Sequence, residues 1–416
     1  MSFIRILLFI GFFCLSTSKG NCINSEDQKK INLLYDDENN YQLKIIQESI
    51  LSFELYDTMI LLPVKLNDTE EEHLFILDTG ATTCVLDQKL AKKLGIHKEL
   101  EVSMTATGDN KKEKTGLMAF GTLKQVQIGN SVIEKIPVGI LDFKHFCDQA
   151  EGIIGNNFLK FFKIVIDYSN KKIILSNPKV SSIQSPNLSR FEFKDKHGLV
   201  KVPIQIDNKE LAIGIIDTGA NKTTIPTSLV EKLNYNEQNI IPKKGISGGG
   251  AFGLHLPDYK SYLSRLNTLK IGENEIKNFP MNVEDSDHSE KITIGYDLLS
   301  HFKVSIDYSR NEIALDPTAE PFKNNVFTTG LGILDQDERK IVINLLEKSP
   351  ADINGIQVND EILEINGIPV SKLNQSDIKA IESDDSIKAI SYKIKESNGN
   401  IKEIALKKKL LFPKIL

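Results

Sequence analysis

Two stretches of this chain carry residues that could do acid–base chemistry as a pair. Asp78 stands in FILDTGATTCVLD (Phe75–Asp87) and Asp217 in GIIDTGANKTTIP (Gly214–Pro226). The two phrases lie 139 positions apart. In each, an apolar run ends in Asp-Thr-Gly-Ala, then small polar residues follow, then apolar ones again. A buried carboxylate is costly unless it is hydrogen-bonded or shared. A chain that bears this cost twice can use the two carboxylates together. About 3 Å apart, two carboxylates cannot both ionise, so the pair holds one proton over a wide pH range. Such a pair is base and acid at once: the ionised member takes a proton from a water, and the protonated member hydrogen-bonds the carbonyl under attack. This chemistry needs no metal and no covalent intermediate, so no cofactor is expected. The seven His residues recur at no matching positions, which leaves a His-based mechanism without support.

The two phrases belong to a longer repeat, which supplies the elements that must position them. Phe53–Asp57 matches Phe191–Asp195, and Leu62–Leu66 matches Val202–Ile206. Downstream, VQIGNSVIEKIPV (Val126–Val138) matches LKIGENEIKNFPM (Leu269–Met281). GIIGNNFLKFFKIVIDYSNKKIIL (Gly152–Leu175) matches ITIGYDLLSHFKVSIDYSRNEIAL (Ile292–Leu315). The blocks recur in one order, which defines two homologous lobes, 50–180 and 188–318. Both read as β-rich: MILLPVKL and LVKVPIQI combine β-branched residues with partial alternation. Short helices are expected after each motif, at DQKLAKKLG (Asp87–Gly95) and PTSLVEKLN (Pro226–Asn234), with Asp or Pro-Thr-Ser at the start and Gly or Asn at the end. Asn177–Ser189 is rich in Ser and Pro and reads as the linker between lobes. Asp167 and Asp307, in the repeated IDYS phrase, read as caps of a strand–turn–strand.

On these residues the chain resembles the retropepsin-like aspartic proteases, with two lobes fused in one polypeptide. Asp-Thr-Gly-Ala is similar to the retroviral form of the motif. The apolar-apolar-Gly block that completes the signature is Ile153-Ile154-Gly155 in lobe one and Thr293-Ile294-Gly295 in lobe two, where Thr293 departs from the pattern. The resemblance implies a mainly β fold of two β-barrel lobes about a pseudo-two-fold axis, with Asp78 and Asp217 as the catalytic dyad. Thr79 and Thr218 would brace the opposite loop, and Gly80 and Gly219 would permit backbone angles that a side chain forbids. A flap is expected in each lobe, at TATGDNKKEKTG (Thr105–Gly116) and KGISGGGAFG (Lys244–Gly253), with Gly108, Gly248 and Gly249 near the substrate. Neither candidate places a Tyr as pepsin-like flaps do.

After Pro317 the pattern changes. Gly330 to Val370 resembles an α+β PDZ domain over about 326–410, carried by Gly330-Leu331-Gly332-Ile333, Ser349-Pro350-Ala351, Gly355-Ile356, Asn359-Asp360-Glu361-Ile362 and Ile365-Asn366-Gly367. The resemblance implies that backbone N–H groups of Leu331, Gly332 and Ile333 cradle a peptide's terminal carboxylate while the peptide adds as a strand. The alternative is a domain that only packs on the lobes.

The remaining observations bound the setting. The formal net charge of −5 gives no reason to expect nucleic acid as a partner. MSFIRILLFIGFFCLSTSKG has one Arg, an apolar stretch from Ile6 to about Leu15, and small polar residues after it. This is the shape of a secretory signal over 1–20, cleaved after Gly20, with 21–49 as a lead segment. An uncleaved anchor or lipidation at Cys22 is the only membrane attachment the sequence offers. An exported protein follows: periplasmic, envelope-located or secreted, and bacterial in character. Cys84 reads as a small apolar side chain, a Cys84–Cys147 bridge is left open, and the pair His145/Cys147 falls short of a metal site. Three functions remain: an aspartic endopeptidase acting on peptides or proteins, a non-catalytic peptide-binding envelope protein, and a protease limited to its own chain.

Overall fold

The computed structural model describes residues 42–45, 47–106, 114–142, 147, 149–180, 182–190, 198–233, 235, 240–246, 249–250, 253–254, 261–284, 291–322, 324–336 and 339–412. The expected signal, Cys22, Gly108, His145 and Gly248 lie outside them. Among the described residues no helix is long and apolar enough to cross a membrane, and no cluster of His, Cys, Asp and Glu could hold a metal ion.

Strands dominate, as the β-branched alternation requires. In Met59–Leu66 every second residue, Ile60, Leu62, Val64 and Leu66, is buried in one core. Lobe one is a sheet closed into a barrel. Its neighbours run Ser131–Leu141, Cys84–Asp87, Gly152–Ile154, Glu72–Leu77, Met59–Leu66 and Lys114–Ile128, and the last pairs back to the first. Gly152–Ile154 runs parallel to Glu72–Leu77, so the second half of the signature lies beside the strand that delivers Asp78. Lobe two repeats this with Lys291–Ile294 parallel to Glu210–Ile216. The helices after each motif are present as Gln88–Lys93 and Thr227–Lys232. The Asp87 carboxylate caps the first by accepting from the Lys89 and Leu90 amides, an interaction that contributes about 1 kcal/mol.

The lobes meet in a six-stranded sheet whose central pair is Lys163–Asp167 against Phe302–Asp307. Val165 pairs with Ser305, its own counterpart in the repeat, and the register runs symmetrically outward from there. The sequence repeat is therefore a spatial pseudo-two-fold. Asp167 and Asp307 cap the following turns, accepting from the Asn170 amide and from the Ser309 and Arg310 amides.

Two boundaries differ from the sequence reading. Gln42–Ile45 pairs with Ser131–Leu141, and Ser49–Ser52 joins the central sheet beside Lys172–Ser176, so lobe one starts inside the expected lead segment. The end of the expected linker is structured too: Leu188–Arg190 forms an edge strand on Glu312–Pro317. Cys84 and Cys147 are both buried and form no disulfide.

The PDZ-like unit has its own core around Val342, Ile362, Ile390 and Ile394. It is also joined to lobe two by main chain. Strand Ile240–Gly245 pairs with Arg339–Leu346, with Lys243 opposite Leu346 and Gly245 opposite Asn344. Lys244 pairs with Asp352 at 2.7 Å across the junction. Lys379, on helix Gln375–Ser383, reaches Asp57 of lobe one. The unit therefore holds both lobes.

Candidate active site

Asp78 and Asp217 each follow the end of a core strand, and the pseudo-two-fold brings them together. Their exposures are 0% and 1%. Each backbone N–H is tied to the signature strand of its own lobe, Asp78 N to Ile154 O and Asp217 N to Ile294 O, both at 3.0 Å. Each carboxylate then accepts two amides from its own loop. Gly80 and Ala81 donate to Asp78 Oδ1 at 2.8 and 3.0 Å, and Gly219 and Ala220 donate to Asp217 Oδ1 at 3.0 and 3.1 Å. Asp78 Oδ2 is buried and has no hydrogen-bond partner among the described residues.

The threonines brace across the axis as expected. Thr79 Oγ1 donates to Ile216 O at 2.7 Å and Thr218 Oγ1 to Leu77 O at 2.8 Å. Each hydroxyl also accepts the other threonine's amide, at 3.0 and 3.1 Å. Four hydrogen bonds thus fix the loops to each other. The glycines act differently from the expectation. Neither Gly80 nor Gly219 takes a positive φ. They are needed for close approach: a Cβ on Gly80 would lie 2.4 Å from the Asp217 carboxyl carbon, and one on Gly219 would lie 2.5 Å from that of Asp78. Each carboxylate therefore rests on the other lobe's glycine.

Both carboxyls are held above the usual carboxylate range. Burial is the main cause for Asp78, opposed by the amides of its loop. For Asp217, burial is again first and the charge of Asp78 adds to it. The two groups are coupled, so their titration belongs to the pair rather than to either residue.

A further shell escaped the sequence reading. Asn156, directly after Gly155, donates from Nδ2 to Thr79 O at 2.8 Å, and its Oδ1 accepts the Tyr308 hydroxyl at 2.7 Å. Tyr308 belongs to lobe two, so lobe two holds the loop of lobe one through Asn156. The counterpart contact is Tyr168 against Tyr296, ring edge to face at 5.6 Å between centroids. The only signal in the sequence was the repeated Tyr of IDYS. Asn157 and Asp297, one residue further on, accept the backbone amides of Cys84 and Thr223 at 2.8 and 2.7 Å.

Elsewhere the expected sites are reached in part. Leu100–Ala106 and Lys114–Ile128 form the hairpin of lobe one up to Ala106 opposite Lys114. In lobe two the hairpin strands are Ile240–Gly245 and Ser261–Arg265, and Gly249 lies in a short ribbon pairing with Leu254. Leu331, Gly332 and Ile333 lie at the start of the PDZ strand Leu331–Gln336, with a register shift between Gly332 and Ile333. The Gln375 side chain donates to Ile333 O at 2.7 Å, occupying one acceptor of the edge to which a peptide would add.

Comparison with known families agrees with this geometry. A family model described as aspartyl protease matches residues 62–158 and again 202–298, bracketing each motif and its signature strand. A PDZ domain model matches residues 325–387. No curated protein is similar enough to the chain to count as a relative. The chain thus carries two domains similar to the retropepsin-like aspartyl proteases, followed by a PDZ domain.

Proposed function

We propose that the protein is an aspartic endopeptidase in which Asp78 and Asp217 activate one water. The observation that carries this reading is the pair of fully buried carboxylates, each seated on the other lobe's glycine. A dry, singly protonated pair has one proton acceptor and one proton donor at the same point. The water oxygen adds to the carbonyl carbon of the scissile bond as its proton passes to the ionised carboxylate. The protonated carboxyl hydrogen-bonds the carbonyl oxygen and gives it the proton. Collapse of the tetrahedral diol breaks the C–N bond: the protonated carboxyl gives its proton to the leaving nitrogen while a diol hydroxyl gives its proton to the other carboxylate, so the pair is again singly protonated. The four threonine hydrogen bonds hold the loops against the strain of these steps. The PDZ unit supports recognition of peptide C-termini and, through its sheet junction, the position of the lobe-two hairpin. The leader-like N-terminus supports action outside the cytoplasm.

The test is incubation of the purified chain with a mixed peptide library at several pH values, with and without a chelator. Cleavage unaffected by the chelator is the expected result. Intact peptides beside a shortened chain would favour self-processing, and intact peptides and chain would favour a binding protein.

A further inference from the structure

The two lobes hold equivalent positions of opposite character on the sheet face that carries the dyad. Ile215, Thr293, Thr224, Asn282 and Glu284 all point away from the lobe-two core, whose members alternate with them: Ile216, Ile294, Ile225 and Val283. Asp217 continues the alternation of Ile215, so this face is the one that carries the dyad. In lobe one the matching positions hold Val85, Met118, Leu141 and Ile153, all buried and apolar. In lobe two they hold Thr224, Ser261, Glu284 and Thr293.

Three members of the lobe-two set carry an unsatisfied side-chain atom. Lys243, Ser261 and Glu284 lie in one row across three adjacent strands. Ser261 and Glu284 are only 2% and 6% exposed, yet among the described residues Ser261 Oγ, Glu284 Oε1 and Thr224 Oγ1 have no hydrogen-bond partner. Lys243 does not close on Glu284; its ammonium donates to Asn282 Oδ1 at 2.6 Å. Burial lowers the Lys243 pKa and raises that of Glu284, as expected for charges kept apart in a dry place. Lys222, in the loop after Ala220, lies 3.9 Å from Asp297 and is already paired. Buried polar groups are normally satisfied, and an orphan carboxylate oxygen beside an orphan hydroxyl calls for a missing partner.

The partner must donate toward Glu284 and Ser261 and accept from Lys243. An acidic side chain would face Glu284, a basic one would face Lys243, and an aliphatic one would leave Glu284 Oε1 unpaired. A primary amide meets both demands. We propose that this wall is a substrate subsite for the carboxamide side chain of Asn or Gln, at a position flanking the scissile bond, with Glu284 and Lys243 as the residues that set the specificity. The proposal rests on the endopeptidase reading for the position of the cleft.

A positional-scanning peptide library tests it with wild type, the double variant Glu284→Leu/Lys243→Met and the near-isosteric Glu284→Gln. Wild type should cleave peptides with Asn or Gln at one flanking position about tenfold or more faster than those with Leu there. The double variant should reverse that order, and if it does not fold, Glu284→Gln should lower the ratio about tenfold. Equal or faster cleavage of the Leu peptides by wild type would overturn the proposal. So would a preference that survives the substitutions, as when only an ordered water fills the site. If no peptide is cut at all, the hydrolase reading fails while the subsite is still decided by capture of the same library on immobilised wild type. Enrichment of Asn and Gln peptides upholds it and lack of enrichment overturns it.

Discussion

The hydroxyl of Tyr308, in lobe two, donates to Asn156 Oδ1, in lobe one, at 2.7 Å, and the amide of the same Asn156 donates to Thr79 O at 2.8 Å. The active-site loop of one lobe is thus held by a residue of the other. Tyr308→Phe leaves a buried acceptor unpaired, which costs about 1–3 kcal/mol. We expect a lower Tm and a lower kcat, with KM for short peptides little changed, because the loss acts on the position of Asp78. A variant with wild-type Tm and kcat would show that the contact does not hold the loop.

The PDZ unit should matter even for substrates too short to reach it. Strand Ile240–Gly245 is a hairpin strand of lobe two and loses its main-chain partner Arg339–Leu346 when 326–416 are removed. Cleavage of short and long peptides should therefore fall together. A truncated chain that keeps its rate on short peptides while losing long ones would assign the PDZ unit to substrate recognition alone.

The dyad should weaken the fold as pH rises. Burial pushes Asp78 up to about 6, and burial with the neighbouring charge raises Asp217 well above its usual value. A carboxyl whose pKa is higher folded than unfolded binds more protons in the folded state. Its stabilising contribution is complete below the unfolded value near 3.9 and is lost as pH climbs through the folded one. Asp217→Asn removes one titrating member and keeps an acceptor for the Gly219 and Ala220 amides. The variant should melt with wild type at pH 4 and roughly 2–8 °C above it at pH 8. A gap that does not widen with pH would contradict the raised values.

Ala81 and Ala220 set the acid limb of the rate profile. The donors that each aspartate receives from its own loop are backbone amides. A Ser at these positions would offer a hydroxyl to the charged carboxylate and favour ionisation. Wild type should show a bell-shaped kcat/KM with its maximum at roughly pH 4.5–6.5. Ala81→Ser with Ala220→Ser should move the bell to lower pH, and a bell that stays or rises would show another control of the dyad.

The motif pair was legible because two strands end in the same costly carboxylate, and because the flanking blocks recur in order. The turn role of Asp167 and Asp307 was legible from local chemistry, since an Asp side chain reaches amides two or three residues on. Contacts across the axis left almost no local trace: nothing near Asn156 marks it as the partner of Tyr308. Gln42–Ile45 falls within the expected lead segment, because four residues are too few to show a period. The junction of Ile240–Gly245 with Arg339–Leu346 was invisible for another reason. Strand pairing between two units uses main-chain groups that every residue has, so it leaves no composition to read. The polar wall of lobe two was signalled by Thr293 alone, where the repeat has Ile153.

The central claim is that Asp78 and Asp217 act as one catalytic unit. Its most direct measurement is kcat/KM on a single cleaved peptide for wild type, Asp78→Asn, Asp217→Asn and the double variant, each with a Tm to establish folding. The account predicts that either single substitution removes turnover in a folded protein and that the double variant is no worse than the singles. A folded single variant retaining more than a few per cent of the wild-type rate would contradict it.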